Sequence, residues 1–330
     1  MTDKHPFGFR RARLAAGALF FVLALSGCAA YQTTALLRRP PPRLPASAEI
    51  TDVHFFAQQA YQCGPAALAM TLDWAGAKVT PKQLAPKVFI PDKHGSLQIE
   101  LVAAARRYGM LPYVLRPQLS DLLIEVAAGH PVIVFQNLGL PWYPVWHFAV
   151  VIGYDLAHRR LILHSGPDAR MYMAMSTFEH TWARGGYWAL LVMPPGTLPR
   201  TATERRYIDA VITLEQTGHE ASAATAYRAA LTRWPQSETA GMGLGNSLYA
   251  MGRLRQAQLA FLQVTHDHPH AAAAFNNLAQ TYADQGHYRQ ALAAARQAVA
   301  LGGPLMPTFR KTLVDIRAHL QRMQRKGLTR

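Results

Sequence analysis

Gln58-Gln59-Ala60-Tyr61-Gln62-Cys63-Gly64-Pro65-Ala66-Ala67-Leu68-Ala69-Met70 sets a cysteine at the head of an apolar run. Proline suits the first turn of a helix, where its missing N–H is no loss and its φ is already helical. Pro65 therefore predicts a helix over residues 64–74 with Cys63 at its N-terminus. Free backbone N–H groups and the helix dipole stabilise a thiolate there, and Gly64 leaves room for a substrate backbone beside the sulfur.

A nucleophilic thiol needs a base that is distant in sequence and near in the fold. His147 fits, because it opens an apolar strand-like run, Phe148-Ala149-Val150-Val151-Ile152-Gly153. The plainer alternative is a small core cysteine and a half-buried strand histidine with no chemistry. A second helix is expected over residues 97–108, capped by Ser96 and stopped by Gly109, and a short third one between Ser120 and Gly129. Residues 131–136, 147–154, 160–164 and 187–193 are rich in Val, Ile, Leu and aromatics and read as strands. Helices followed by strands predict an α+β domain with an antiparallel sheet, over residues 50–196. The aromatic, proline-rich loop Leu140–Trp146 either walls a substrate cleft or packs over the sheet.

Residues 58–70 together with Trp146-His147-Phe148-Ala149-Val150-Val151-Ile152-Gly153-Tyr154-Asp155 resemble the bacteriocin-leader-processing (double-glycine) cysteine peptidases, over about residues 50–194. The resemblance implies a papain-like fold in which Cys63 thiolate and His147 imidazolium form an ion pair. It further implies that Gln58 joins the backbone N–H of Cys63 as oxyanion donor, with Gln59 and Gln62 as fallback donors. The chain departs from the pattern at the third catalytic member: Ser165-Gly166 stands where the family usually has Asp-Pro. Asp168 or the Ser165 hydroxyl is left to orient the imidazole.

Beyond residue 200 the chain repeats itself every 34 residues. Gly218, Gly252 and Gly286 fall in register, as do Ala223, Ala257 and Ala291, then Ala226, Ala260 and Ala294, and Pro235 with Pro269. Small residues let paired helices approach, glycine permits the turn between them and proline ends the second. The pattern resembles three tetratricopeptide repeats over residues 203–304, the third carrying Gly303-Pro304 in place of the aligned proline. A basic helix over residues 309–326, within the segment 305–330, would cap the stack. Such repeats imply a protein partner or a recruited protein substrate.

At the other end, Lys4, Arg10, Arg11 and Arg13 precede the apolar run Leu14–Leu25 and Leu25-Ser26-Gly27-Cys28. Residues 1–27 read as a secretion signal too short to span a bilayer, and its end resembles a lipobox, with Cys28 as the lipidated residue. Ala29, where Asp would signal retention, implies transfer to the outer membrane facing the periplasm. The proline-rich residues 28–49 read as an extended tether. Export argues against nucleic acid as the partner of the +15 formal charge; anionic lipid or an acidic partner suits it better. Lipidation of Cys28 leaves Cys63 the only free thiol in an oxidising compartment. No His-Glu-x-x-His pair or phosphate-cradling glycine loop occurs, and His266-Asp267-His268-Pro269-His270 falls at a repeat end, so no metal or cofactor is expected. The expected function is thiol-dependent peptide hydrolysis; the alternatives are acyl transfer to an amine and an inactive peptidase-like scaffold at the envelope.

Overall fold

A computed structural model describes residues 30–58, 62–93 and 95–325. The signal segment, Cys28, Gln59 and residues 326–330 lie outside the described residues.

Helix α1 (Tyr31–Arg38) and strand β1 (Ser47–Glu49) precede the cysteine helix α2 (Cys63–Trp74). Then come α3 (Pro81–Val88), β2 (Phe89–Ile90), β3 (Gly95–Ser96), α4 (Gln98–Arg107), β4 (Leu111–Val114) and α5 (Leu119–Ala127). The second half supplies β5 (Val132–Asn137), β6 (Trp146–Asp155), β7 (Arg160–Ser165), β8 (Asp168–Ala174), α6 (Met175–Arg184) and β9 (Ala189–Met193). The main sheet is antiparallel in the order β4-β9-β5-β6-β7-β8, and β1 pairs with β6 at residues 153–155, beyond the end of β5. Every residue of α2 from Gly64 to Leu72 is buried, as an apolar run with no polar face requires. This is the α+β architecture the sequence implied.

Two expectations fail. Ser96 does not cap α4: it lies in β3, paired with Phe89, and Leu97 takes the N-cap position without a side-chain hydrogen bond. The extended tether is also wrong for residues 31–38. Glu179 of α6 accepts hydrogen bonds from Gln32 N at 2.8 Å and Thr33 N at 2.6 Å, so a carboxylate from far along the chain supplies the N-terminal cap that α1 lacks. Gln32 in turn donates to Pro117 O and accepts from Leu119 N at the start of α5.

The remaining helices are α7 (Glu204–Gln216), α8 (Glu220–Arg233), α9 (Glu238–Ala250), α10 (Leu254–Asp267), α11 (Ala272–Asp284), α12 (Tyr288–Leu301) and α13 (Met306–Arg325). Gly218, Gly252 and Gly286 sit between the members of successive pairs with φ of 82°, 70° and 79°, a conformation that side chains with a Cβ adopt at a cost. In α9 the glycines do different work. A Cβ at Gly243 would lie 2.2 Å from the Tyr227 ring and one at Gly245 2.3 Å from the Phe261 ring, and both rings are buried. Gly245→Ala should therefore lower the unfolding free energy by about 1–3 kcal/mol through overpacking, against at most ~1 kcal/mol gained in helix propensity. Urea titration reads the difference, and a stabilised variant would refute the packing argument.

The helical array is not a separate bead. Tyr207, Ile208, Val211 and Leu214 of α7 belong to the same apolar core as Leu111, Leu190 and Leu191 of the sheet.

Candidate active site

The start of α2 and the start of β6 meet at the backbone of Phe148. The N–H groups of Phe148, Gly64 and Cys63 itself act on the Cys63 sulfur. On the carbonyl side of Phe148, Gln58 Nε2 donates at 3.3 Å. In an extended strand the N–H and C=O of one residue point the same way, so sulfur and amide share one edge of β6. Gln58 is further fixed to the β7–β8 turn, where its Oε1 accepts from Gly166 N at 3.1 Å and its own N–H donates to Gly166 O at 3.0 Å.

His147 precedes Phe148 on the same strand. Its Nε2 lies 2.9 Å from Ser165 Oγ, at the end of β7, and Ser165 is buried. Asp168 is paired with Ser165 in register across β7 and β8 yet is exposed and makes no hydrogen bond to the imidazole. Of the two candidate orienting groups, the hydroxyl meets the ring and the carboxylate does not. Gln62 occupies the N-cap of α2 with no side-chain cap bond.

The electrostatics depart from the expected ion pair. Burial pushes the Cys63 thiol up and outweighs the three N–H groups that favour the thiolate. Burial also pushes His147 down to about 4. Both shifts favour the uncharged forms, a neutral thiol at Cys63 and a neutral imidazole at His147. A carboxylate on Nε2 would have opposed the second shift; a serine hydroxyl carries no charge to do so.

The space around Gly64 also differs from expectation. A Cβ there would sit 2.5 Å from Ser96 Oγ, so the glycine admits the serine of β3. The loop before His147 is an ordered hairpin extension: Leu138 N donates to Val145 O at 2.8 Å, Leu140 and Tyr143 exchange bonds of 3.1 Å, and Asn137 Oδ1 accepts from Gly139 N and Val145 N. Its tip does not pack over the sheet, since Trp142 is 79% and Tyr143 76% exposed. Trp146 stacks on Phe135 at 5.1 Å.

Residues 50–190 match the Peptidase_C39 like family, and residues 242–286 and 276–325 match the tetratricopeptide repeat. The chain carries a C39-like peptidase domain followed by tetratricopeptide repeats. No curated protein matches it. Among solved structures, a putative C39-like peptidase from Bacillus anthracis is 20% identical and has a TM-score of 0.39, over 44% of this chain and 97% of that one. The type III secretion chaperone SycD of Yersinia enterocolitica, crystallised with a peptide of the translocator YopD, is 15% identical with a TM-score of 0.34, over 36% of this chain and 98% of that one. The C39-like domain thus supplies a peptidase-like fold, and the repeats are of a protein-interaction type. Sequence reasoning singled out Cys63, Gln58 and His147; it missed Phe148, whose backbone meets both Cys63 and Gln58 and carries no side-chain signal.

Proposed function

We propose that the chain is an exported, lipid-anchored cysteine peptidase whose repeats recruit a protein substrate or partner. The convergence of Cys63, Gln58 and the His147 strand on Phe148, with the imidazole held by Ser165, carries this reading. If Nε2–H donates to Ser165 Oγ, the lone pair is on Nδ1, which is the nitrogen free to act as base. The thiol gives its proton to Nδ1 as the sulfur attacks the scissile carbonyl. The oxyanion is met by the Cys63 N–H and by the Gln58 amide hydrogen that Phe148 does not use. The imidazolium then protonates the departing amine, and the imidazole deprotonates the water that hydrolyses the thioester. Anchoring at the outer membrane, facing the periplasm, rests on the N-terminal sequence alone.

The low basicity of His147 favours one rival, a catalytically inactive scaffold. A library of extended peptides incubated with the full chain, read by mass spectrometry for cleavage and for a thioester on Cys63, separates the two: peptidase activity gives both signals, and Cys63→Ala loses both. An intact library and an unmodified cysteine would leave the scaffold. The neutral thiol makes its own prediction. Iodoacetamide should label Cys63 in the free protein slowly at pH 7 and increasingly above pH 9, because the thiolate appears only above the raised pKa. Fast labelling near pH 5 would restore the ion pair.

A further inference from the structure

On the side of the domain that faces the repeats, a groove of ≈ 620 Å³ opens between α4 and α7, floored by the edge strand β4. Its walls hold Arg106 from α4 and Arg205 and Arg206 from the first turn of α7, against a single acid, Asp209. Among the described residues, no carboxylate lies within 4.0 Å of any of these three guanidinium groups.

The three arginines differ in their ties. Arg206 donates to Val114 O at 2.8 Å, which blunts the open edge of β4. Arg205 is exposed. Arg106 is half-buried, and its Nε is enclosed without a hydrogen-bond partner. Burial draws its pKa down with nothing to oppose it, so the enclosed Nε–H has given up water without gaining a protein acceptor. At the same place α7 begins, and Thr203 at its N-cap supplies no side-chain cap to the first N–H groups.

We propose that this groove binds a phosphate monoester, gripped by Arg106 and Arg205 with Arg206 beside them. Three arginines and one aspartate leave a lining charge of +2, which a phosphate monoester at about −1.5 to −2 matches. The planar guanidinium fork suits two phosphate oxygens at once. A lone carboxylate brings half the charge and would leave the half-buried Arg106 undercompensated. A free phosphate ester and the phosphorylated headgroup of a lipid present the same group.

Two arms distinguish these sources. Glycerol 3-phosphate should raise the Tm of the full chain above that in chloride of equal ionic strength if the free ester binds. Phosphatidylcholine vesicles containing phosphatidic acid should float the chain, where pure phosphatidylcholine does not, if the headgroup does. Either result supports the site provided that Arg106→Gln and Arg205→Gln each weaken binding by on the order of tenfold or more. Arg205→Gln alters an exposed side chain and keeps the test readable should Arg106→Gln fail to fold. No binding of either probe, binding unchanged in Arg205→Gln, or preferential binding of oligoglutamate at the same arginines would overturn the proposal, the last in favour of an acidic peptide.

Discussion

His147→Ala should lower kcat/KM for peptide cleavage by on the order of 10²–10⁴-fold, the usual contribution of a general base. In this chain the loss should be nearly complete, because Cys63 is held as a neutral thiol and cannot attack without a proton acceptor. The pH profile of the parent protein should carry the same signature. The base works only when unprotonated, and burial lowers its pKa from 6.5 to about 4. Activity should then be level through neutral pH and fall as pH drops through about 4, two units or more below an ordinary histidine. Ser165→Asp would place a charge on Nε2, raise that pKa and move the acid limb upward. Equal turnover in parent and His147→Ala proteins would remove the imidazole from the mechanism. A limb near 6.5 that does not respond to Ser165→Asp would remove its burial from the explanation.

The sequence exposed the parts of this site that are written in local pattern. An apolar run opened by Cys63-Gly64-Pro65 has one sensible reading as a helix start, and the 34-residue register of Gly218, Gly252 and Gly286 has one as paired helices, with all three glycines at positive φ. What stayed hidden is tertiary. The order of burial and donor effects at Cys63 depends on how deeply α2 is packed, which no motif states. Asp168 and Ser165 stood as equal alternatives for the orienting group, because a carboxylate or a hydroxyl can hold an imidazole; the β7–β8 hairpin, irregular between Leu163 and Ser165, leaves Asp168 exposed and Ser165 buried against the ring. Helix α1 was concealed by its setting: Pro40-Pro41-Pro42 suggested extended chain, and the cap comes from Glu179, which no local window includes.

The same kind of long-range carboxylate governs how the repeats join the C39-like domain. Glu125 of α5 is fully buried and accepts from Thr201 N at 2.6 Å, Thr201 Oγ1 at 2.6 Å and Arg200 N at 3.1 Å. It also meets His130 Nδ1 at 2.7 Å. Thr201 and Arg200 belong to the segment that leads from β9 into α7, so one carboxylate fixes the direction in which the helical array departs. Glu125→Ala leaves two backbone N–H groups and a buried histidine without their acceptor, each orphan costing about 1–3 kcal/mol. The expected loss is roughly 3–5 kcal/mol of unfolding free energy, the usual result of breaking a buried charged contact from one side. Because α7 shares the core of the sheet, the parent protein should unfold through α7 and the sheet together. In Glu125→Ala the two halves should separate, the sheet melting at lower denaturant than α9–α13. Guanidinium titration followed by tryptophan fluorescence and by far-ultraviolet circular dichroism reads both effects. A variant within 1 kcal/mol of the parent, with coincident transitions, would show that apolar packing alone sets the junction and that Glu125 merely occupies it.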